Sequence, residues 1–122
     1  MSRVIIINQN GVNYTFFCRS ENTRNGFKHI AELFIGGYKQ SFATCYYLNR
    51  TWEKYCYQSA CLQAVYNRMN EIIEDNLKCF KALHNYSKMT KKRTEEFNQY
   101  MDNTGSLDDF RAVYKQLQDN CY

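Results

Sequence analysis

A change of period near residue 50 constrains this chain more than any other feature. Up to Leu48, apolar and polar residues alternate with period two; from Trp52 onward, apolar residues recur every three or four positions. Alternation suits a strand with one buried face, and the longer period suits a helix with one apolar stripe. The change happens once, so a sheet comes first and helices follow. That order predicts an α+β fold and argues against interleaved βαβ units. The junction, Tyr46-Tyr47-Leu48-Asn49-Arg50-Thr51-Trp52-Glu53-Lys54-Tyr55-Cys56-Tyr57-Gln58, carries the only tryptophan. Within five residues it sets an amide, a guanidinium, a hydroxyl, an indole and a carboxylate.

Before the junction, residues 3–8 read as a short strand, and Gln9-Asn10-Gly11 as a hairpin turn because Asn-Gly suits positive φ. Residues 12–19, rich in aromatic and β-branched side chains, read as a second strand. Residues 20–26 read as a polar turn that carries Arg24. Residues 27–35 alternate, with Phe27, His29, Ala31, Leu33 and Ile35 on one face. After Gly36-Gly37, residues 38–48 set Ser41, Ala43, Cys45 and Tyr47 on one side and Tyr38, Phe42, Tyr46 and Leu48 on the other. Four sequential strands with short turns predict an antiparallel meander over residues 1–48.

After the junction, residues 52–82 predict one long helix that packs the meander. Its stripe is Trp52, Tyr55, Ser59, Leu62, Tyr66, Met69 and Ile73, continued by Leu77 and Phe80 and widened by Cys56, Val65 and Ile72. Asn49 or Thr51 caps it, and Glu53 falls in its first turn, where the helix dipole favours an acid. Residues 90–120 predict a helical arm of two shorter helices. Lys88, Lys91, Lys92 and Arg93 open the first, with Phe97, Tyr100 and Met101 as its narrow stripe. Ser106 caps the second, with Asp109 three residues on and Leu107, Phe110, Val113, Tyr114 and Leu117 as its apolar face. The 122 residues thus read as a single α+β domain, with an arm that docks weakly or meets a partner.

No apolar run approaches the roughly 18 residues of a membrane span, which predicts a cytoplasmic protein with no membrane partner. In that compartment the three Asn-x-Ser/Thr triplets at Asn13, Asn49 and Asn85 carry no glycan, and the six cysteines are expected to be reduced. Cys56 and Cys61, five apart, stand roughly 140° from each other around a helix, a poor pair for one metal. No metal or cofactor signature appears. A nucleophilic cysteine would want a histidine beside it, and His29 and His84 stand in no recognisable motif, so no enzyme is expected.

The net charge is +4, and all of the excess is in residues 1–60, which also hold twelve of the twenty aromatic residues. A basic, aromatic sheet can stack bases and neutralise phosphates; aromatic residues in strands also simply build cores. An acidic imitation of DNA is excluded by the sign of the charge. The candidate binding residues are Asn49, Arg50, Trp52 and Glu53 at the junction, with Arg24 and His29 brought near by strand pairing, and Lys91, Lys92 and Arg93 beyond the long helix. The junction has two readings: an anion- or partner-binding corner, or a structural lock in which Asn49 satisfies turn amides and Trp52 fills the core. The lock is the simpler one.

Two strings, Thr23-Arg24-Asn25-Gly26-Phe27-Lys28-His29 and Tyr47-Leu48-Asn49-Arg50-Thr51-Trp52-Glu53, are followed by Tyr55, Tyr57, Gln58 and Ser59. Together they resemble a group of small proteins carried by phages, plasmids and integrated elements of Gram-positive bacteria. The resemblance spans residues 12–70, and Asn-Arg-Thr-Trp-Glu is its most specific part. It implies a non-enzymatic accessory protein of a mobile element, acting in a bacterial host cell. Such proteins are often inhibitors of host defence, including anti-CRISPR proteins. The resemblance therefore implies a stoichiometric inhibitor of a host protein or ribonucleoprotein complex. The alternative is a nucleic-acid-binding accessory protein that uses the basic half of the sheet, and exposed aromatic residues would make a homodimer possible.

Overall fold

The computed structural model describes residues 2–48, 56–84 and 105–120, with side chains up to residue 78 in the first helix and from residue 107 in the last. Four strands, β1 (Ser2–Gln9), β2 (Val12–Thr23), β3 (Gly26–Ile35) and β4 (Tyr38–Tyr47), form one antiparallel sheet in the order β1-β2-β3-β4. Two helices follow, α1 (Gln58–His84) and α2 (Gly105–Asp119). The fold is α+β, with the meander first. No helix among the described residues is long and apolar enough to cross a membrane.

The turns follow from their residues. Asn10 and Gly11 take φ of 52° and 80°, the left-handed pair that matches the twist of the flanking strands, and Gly36-Gly37 repeats it. The polar stretch 20–26 corrects the expectation of a turn there. It is strand as far as Thr23, and the chain reverses over Arg24 and Asn25 alone. Cross-strand partners outweigh its low strand propensity: Glu21 faces Lys28, and Ser20 Oγ lies 2.9 Å from the Tyr57 hydroxyl.

On the inner face Ile5, Ile7, Tyr14, Phe16, Cys18, Ala31, Leu33 and Ala43 build one core with both helices. α1 runs antiparallel to β4, from the Tyr57 ring against His29 to Arg68 Nε, which donates to Gln40 Oε1 at 3.0 Å. Midway, Ser41 Oγ donates to the Ala64 carbonyl at 2.6 Å.

Two expectations for this helix are corrected. It begins at Gln58, not at residue 52: Cys56 and Tyr57 are non-helical, and the Tyr57 carbonyl accepts the bond from the Cys61 amide at 3.0 Å. Its first turn holds no acid, so Glu53 has no part in it. The buried stripe is Ala60, Cys61, Ala64 and Val65, whereas Ser59, Tyr66 and Leu77 face solvent. Under it the sheet presents Ala31, Ser41 and Ala43, so small side chains meet small ones and the helix lies close, with its larger residues at the margins.

The expected helix opened by Lys91, Lys92 and Arg93 lies outside the described residues. The last helix is no loose arm. Its predicted face is buried, with Phe110, Val113 and Leu117 inside the common core and Tyr14 packed edge-on to Phe110 at 5.4 Å. Both ends are tied down. Asn10 Nδ2 donates to Asp109 Oδ1 at 2.8 Å, and Gln58 Nε2 lies 2.6–3.1 Å from the terminal carbonyls of Leu117, Gln118 and Asn120. Asp109 therefore anchors the β1–β2 turn, and the side chain of Ser106 lies outside the described ones.

Candidate functional site

Of the residues singled out in the sequence, Arg24 and His29 are described; Asn49, Arg50, Trp52, Glu53, Lys91, Lys92 and Arg93 lie outside the described residues. Arg24 sits exposed at the tip of the β2–β3 hairpin. His29 is fully buried three rungs into the ladder, so pairing does not bring the two into one surface. Aromatic rings surround its imidazole, with centroids at 4.5 Å for Tyr57, 4.8 Å for Tyr47 and 5.2 Å for Phe27. Beside them, a Cβ on Gly26 would strike the backbone of Tyr47 and Leu48, so the start of β3 and the end of β4 are pressed together. His29 thus belongs to a packed aromatic box, where no ligand reaches it.

The thiols were the other chemical candidates. Cys45 faces His29 across β3 and β4, and burial pushes its thiol above the ordinary range, the opposite of what a nucleophile needs. Cys18 Sγ and Cys61 Sγ lie 3.6 Å apart between β2 and α1, both buried. Their shared hydrogen bond holds the Cys18 thiol down and pushes the Cys61 thiol strongly up, which makes this a packed pair. Among the described residues no three His, Cys, Asp or Glu side chains gather as a metal would need.

What remains is the other face of the sheet. Both described helices pack on the inner face, and among the described residues no element covers the outer one. Register sets its side chains in rows across the strands. One row is Ile6, Thr15, Phe34 and Lys39; the next is Val4, Phe17, Glu32 and Phe42; then Arg19, Ile30 and Thr44; then Glu21, Lys28 and Tyr46. Val4, Ile6, Phe17, Phe42 and Tyr46 stand exposed, and Phe17 meets Phe34 edge-on at 5.2 Å. Val4, Phe17 and Arg19 also border a depression of about 310 Å³ beside the start of β1.

Charges on this face are matched internally. Glu32 holds Arg19 and Lys39, the second at 3.3 Å, and Glu21 holds Lys28 at 3.1 Å and Arg19 at 3.6 Å. The Arg19 guanidinium and then the Lys39 ammonium keep the Glu32 carboxyl below the usual glutamate range. Glu21 is lowered likewise, by Lys28 first. On this face three cations of the basic half, Arg19, Lys28 and Lys39, are thus held by two carboxylates.

Reasoning along the chain passed over this surface in favour of the junction. The signal was present: Val4-Ile5-Ile6-Ile7 is apolar at both parities, and Phe16-Phe17 likewise. A strand apolar on both faces needs cover on both. Compared with protein-family models, with curated proteins and with solved structures, the chain matches none.

Proposed function

We propose that this chain is a non-catalytic binding protein that docks a host protein on the outer face of its sheet and acts stoichiometrically, as an inhibitor of a defence complex in the bacterial cytoplasm. The observation that carries the reading is the exposed apolar patch of Val4, Ile6 and Phe17, in adjacent rows on adjacent strands, with self-paired charges beside it. Four strands about 4.8 Å apart and some ten residues long present a face of roughly 600 Å², close to one partner's share of an ordinary interface. An apolar centre with a polar, internally matched surround is what such interfaces carry, and the depression beside Val4 and Phe17 suits an anchoring side chain. The likeness to small proteins of phages and mobile elements directs the choice of target: host defence complexes, Cas nucleases among them.

The nucleic-acid reading has less support, because Arg19, Lys28 and Lys39 already face carboxylates and only freed cations would gain by meeting phosphates. Titration of the full chain into purified Cas nucleases decides between them. The expected result is one-to-one binding below micromolar concentration, little affected by salt and lost in Ile6→Glu and Phe17→Glu. Absence of binding at micromolar protein, or equal binding by both variants, overturns the proposal. Binding to DNA or RNA that falls steeply with salt and is lost in Arg24→Ala or Arg50→Ala would establish the alternative.

A further inference from the structure

A second surface lies around the side of the sheet, where among the described residues no strand neighbours the outer edge of β4. Between that edge and the flank of α1 is a cleft of about 540 Å³, within the range of pockets that hold small ligands and short peptides. Four consecutive residues of β4, Ser41, Phe42, Ala43 and Thr44, line one wall. Because they include both side-chain parities, it is the backbone edge that faces the cleft. The opposite wall is Gln63, Asn67, Asn70, Glu71 and Glu74, all polar and at helical spacing.

The hydrogen bonds show which backbone groups point outward. Asn67 Nδ2 donates to the Phe42 carbonyl at 3.2 Å, and Gln63 Nε2 donates to Asn67 Oδ1 at 2.9 Å and so fixes that amide. The Phe42 carbonyl therefore points away from β3. In an antiparallel ladder alternate residues aim both backbone groups the same way, so Thr44 and Tyr46 also aim theirs outward. Asn67 uses one lone pair of one carbonyl and leaves the rest of this edge available to a strand.

Charge tells what kind of strand. Arg68 bonds Gln40 and pairs with Glu71 at 3.2 Å, while Glu74 has no ion-pair partner among the described residues. The helical wall is thus acidic toward the Gln40 end of β4. A second copy entering antiparallel through its own β4 would set Gln63 and Asn67 of its helix, and no cation, against that acidic end. We propose that the cleft takes an extended segment of a partner protein, added to β4 as a fifth strand, with a lysine or arginine of that segment against Glu71 and Glu74. Main-chain bonds give such an addition its affinity, and the charged wall gives it direction and selectivity.

The site stands apart from the outer face, and the two proposals fail separately: Phe17→Glu leaves this one untouched. The test is selection of random twelve-residue peptides displayed on phage against the full chain. The expected winners carry a basic residue among alternating β-branched ones, and the synthetic peptide slows amide exchange at Phe42, Thr44 and Tyr46. Glu74→Lys, an exposed change, weakens the peptide by about tenfold, the equivalent of ~1.4 kcal/mol. Thr44→Pro removes an outward N–H and abolishes binding, with circular dichroism to confirm that the sheet persists. Absence of enrichment, peptides that bind both variants as well as the parent, or protection confined to other strands overturns the proposal. So does concentration-dependent self-association that protects the same β4 amides, which assigns the edge to a second copy.

Discussion

Phe16 and Phe17 are neighbours in the chain and lie on opposite faces of the same strand. Phe16 is sealed in the core shared with both helices, whereas Phe17 stands 45% exposed among Val4, Glu32 and Phe34. The same division runs through Ile5 and Ile6 on β1 and through Ala43 and Phe42 on β4. The inner face carries small and large apolar groups fitted to two helices, with a buried serine, Ser41, whose hydroxyl donates to the Ala64 carbonyl. The outer face carries large apolar groups interleaved with ion pairs. One face holds the fold together, and the other is built in the manner of a surface that meets another protein.

The sharpest way to break this contrast is to truncate the two phenylalanines. Phe16→Ala leaves a cavity under α1 and α2 and is expected to cost about 3–5 kcal/mol in urea unfolding. Phe17→Ala is expected to cost less than about 1 kcal/mol, because its ring keeps water on one side in the folded state already. Equal losses would mean that the outer face is covered and would remove the ground for the proposed docking surface. A somewhat smaller effect tests the other side of the contrast. Leu117→Ala is expected to cost about 2–4 kcal/mol if α2 is a full member of the core, and well below that if it is an appended arm. Gln58→Ala, which deprives the end of α2 of its donor, is expected to cost about 1 kcal/mol by the same assay.

Legibility in the sequence follows the same division. The meander was readable because each strand's inner residues alternate and because Asn10-Gly11 and Gly36-Gly37 demand tight turns. The face of α2 was readable because its buried residues are its large apolar ones. α1 was legible only in part: Val65 is buried and Leu62, Met69 and Ile72 pack on the core as expected, but its centre is Ala60, Cys61 and Ala64, and a pattern weighted to large side chains points round the helix to Tyr66 and Leu77. The expected start of α1 falls six residues early because Trp52, Tyr55 and Cys56 continue the helical spacing, whereas Cys56 and Tyr57 are non-helical and Tyr57 packs against His29 and Ser20. Pairing across strands is invisible to a count of charges. Arg19 and Glu32 are thirteen residues apart and meet only because β2 and β3 adopt this register. The candidate site suffered most, because a surface made of alternate residues on four strands has no contiguous motif.

The ion pairs supply the finest test of the contrast, since of the sheet's two faces only the outer one carries carboxylates, Glu21 and Glu32. In the folded chain the Glu32 carboxyl is held below its ordinary value of 4.5, by Arg19 first and then by Lys39. A group lowered on folding stabilises the fold above its unfolded value, and the contribution is lost as pH falls through the folded one. The Glu32 contribution is therefore complete near about pH 6 and fades from about pH 4.5 downward. Glu32→Gln is expected to be less stable than the parent by under about 1 kcal/mol at neutral pH, as befits a pair at the surface. The gap should close as both chains are acidified, and it should shrink in high salt. A difference that persisted through acid and salt would show that Glu32 acts by packing beside Phe17 and Phe42, so that the outer face would be a second core rather than a charged surround for a docking patch.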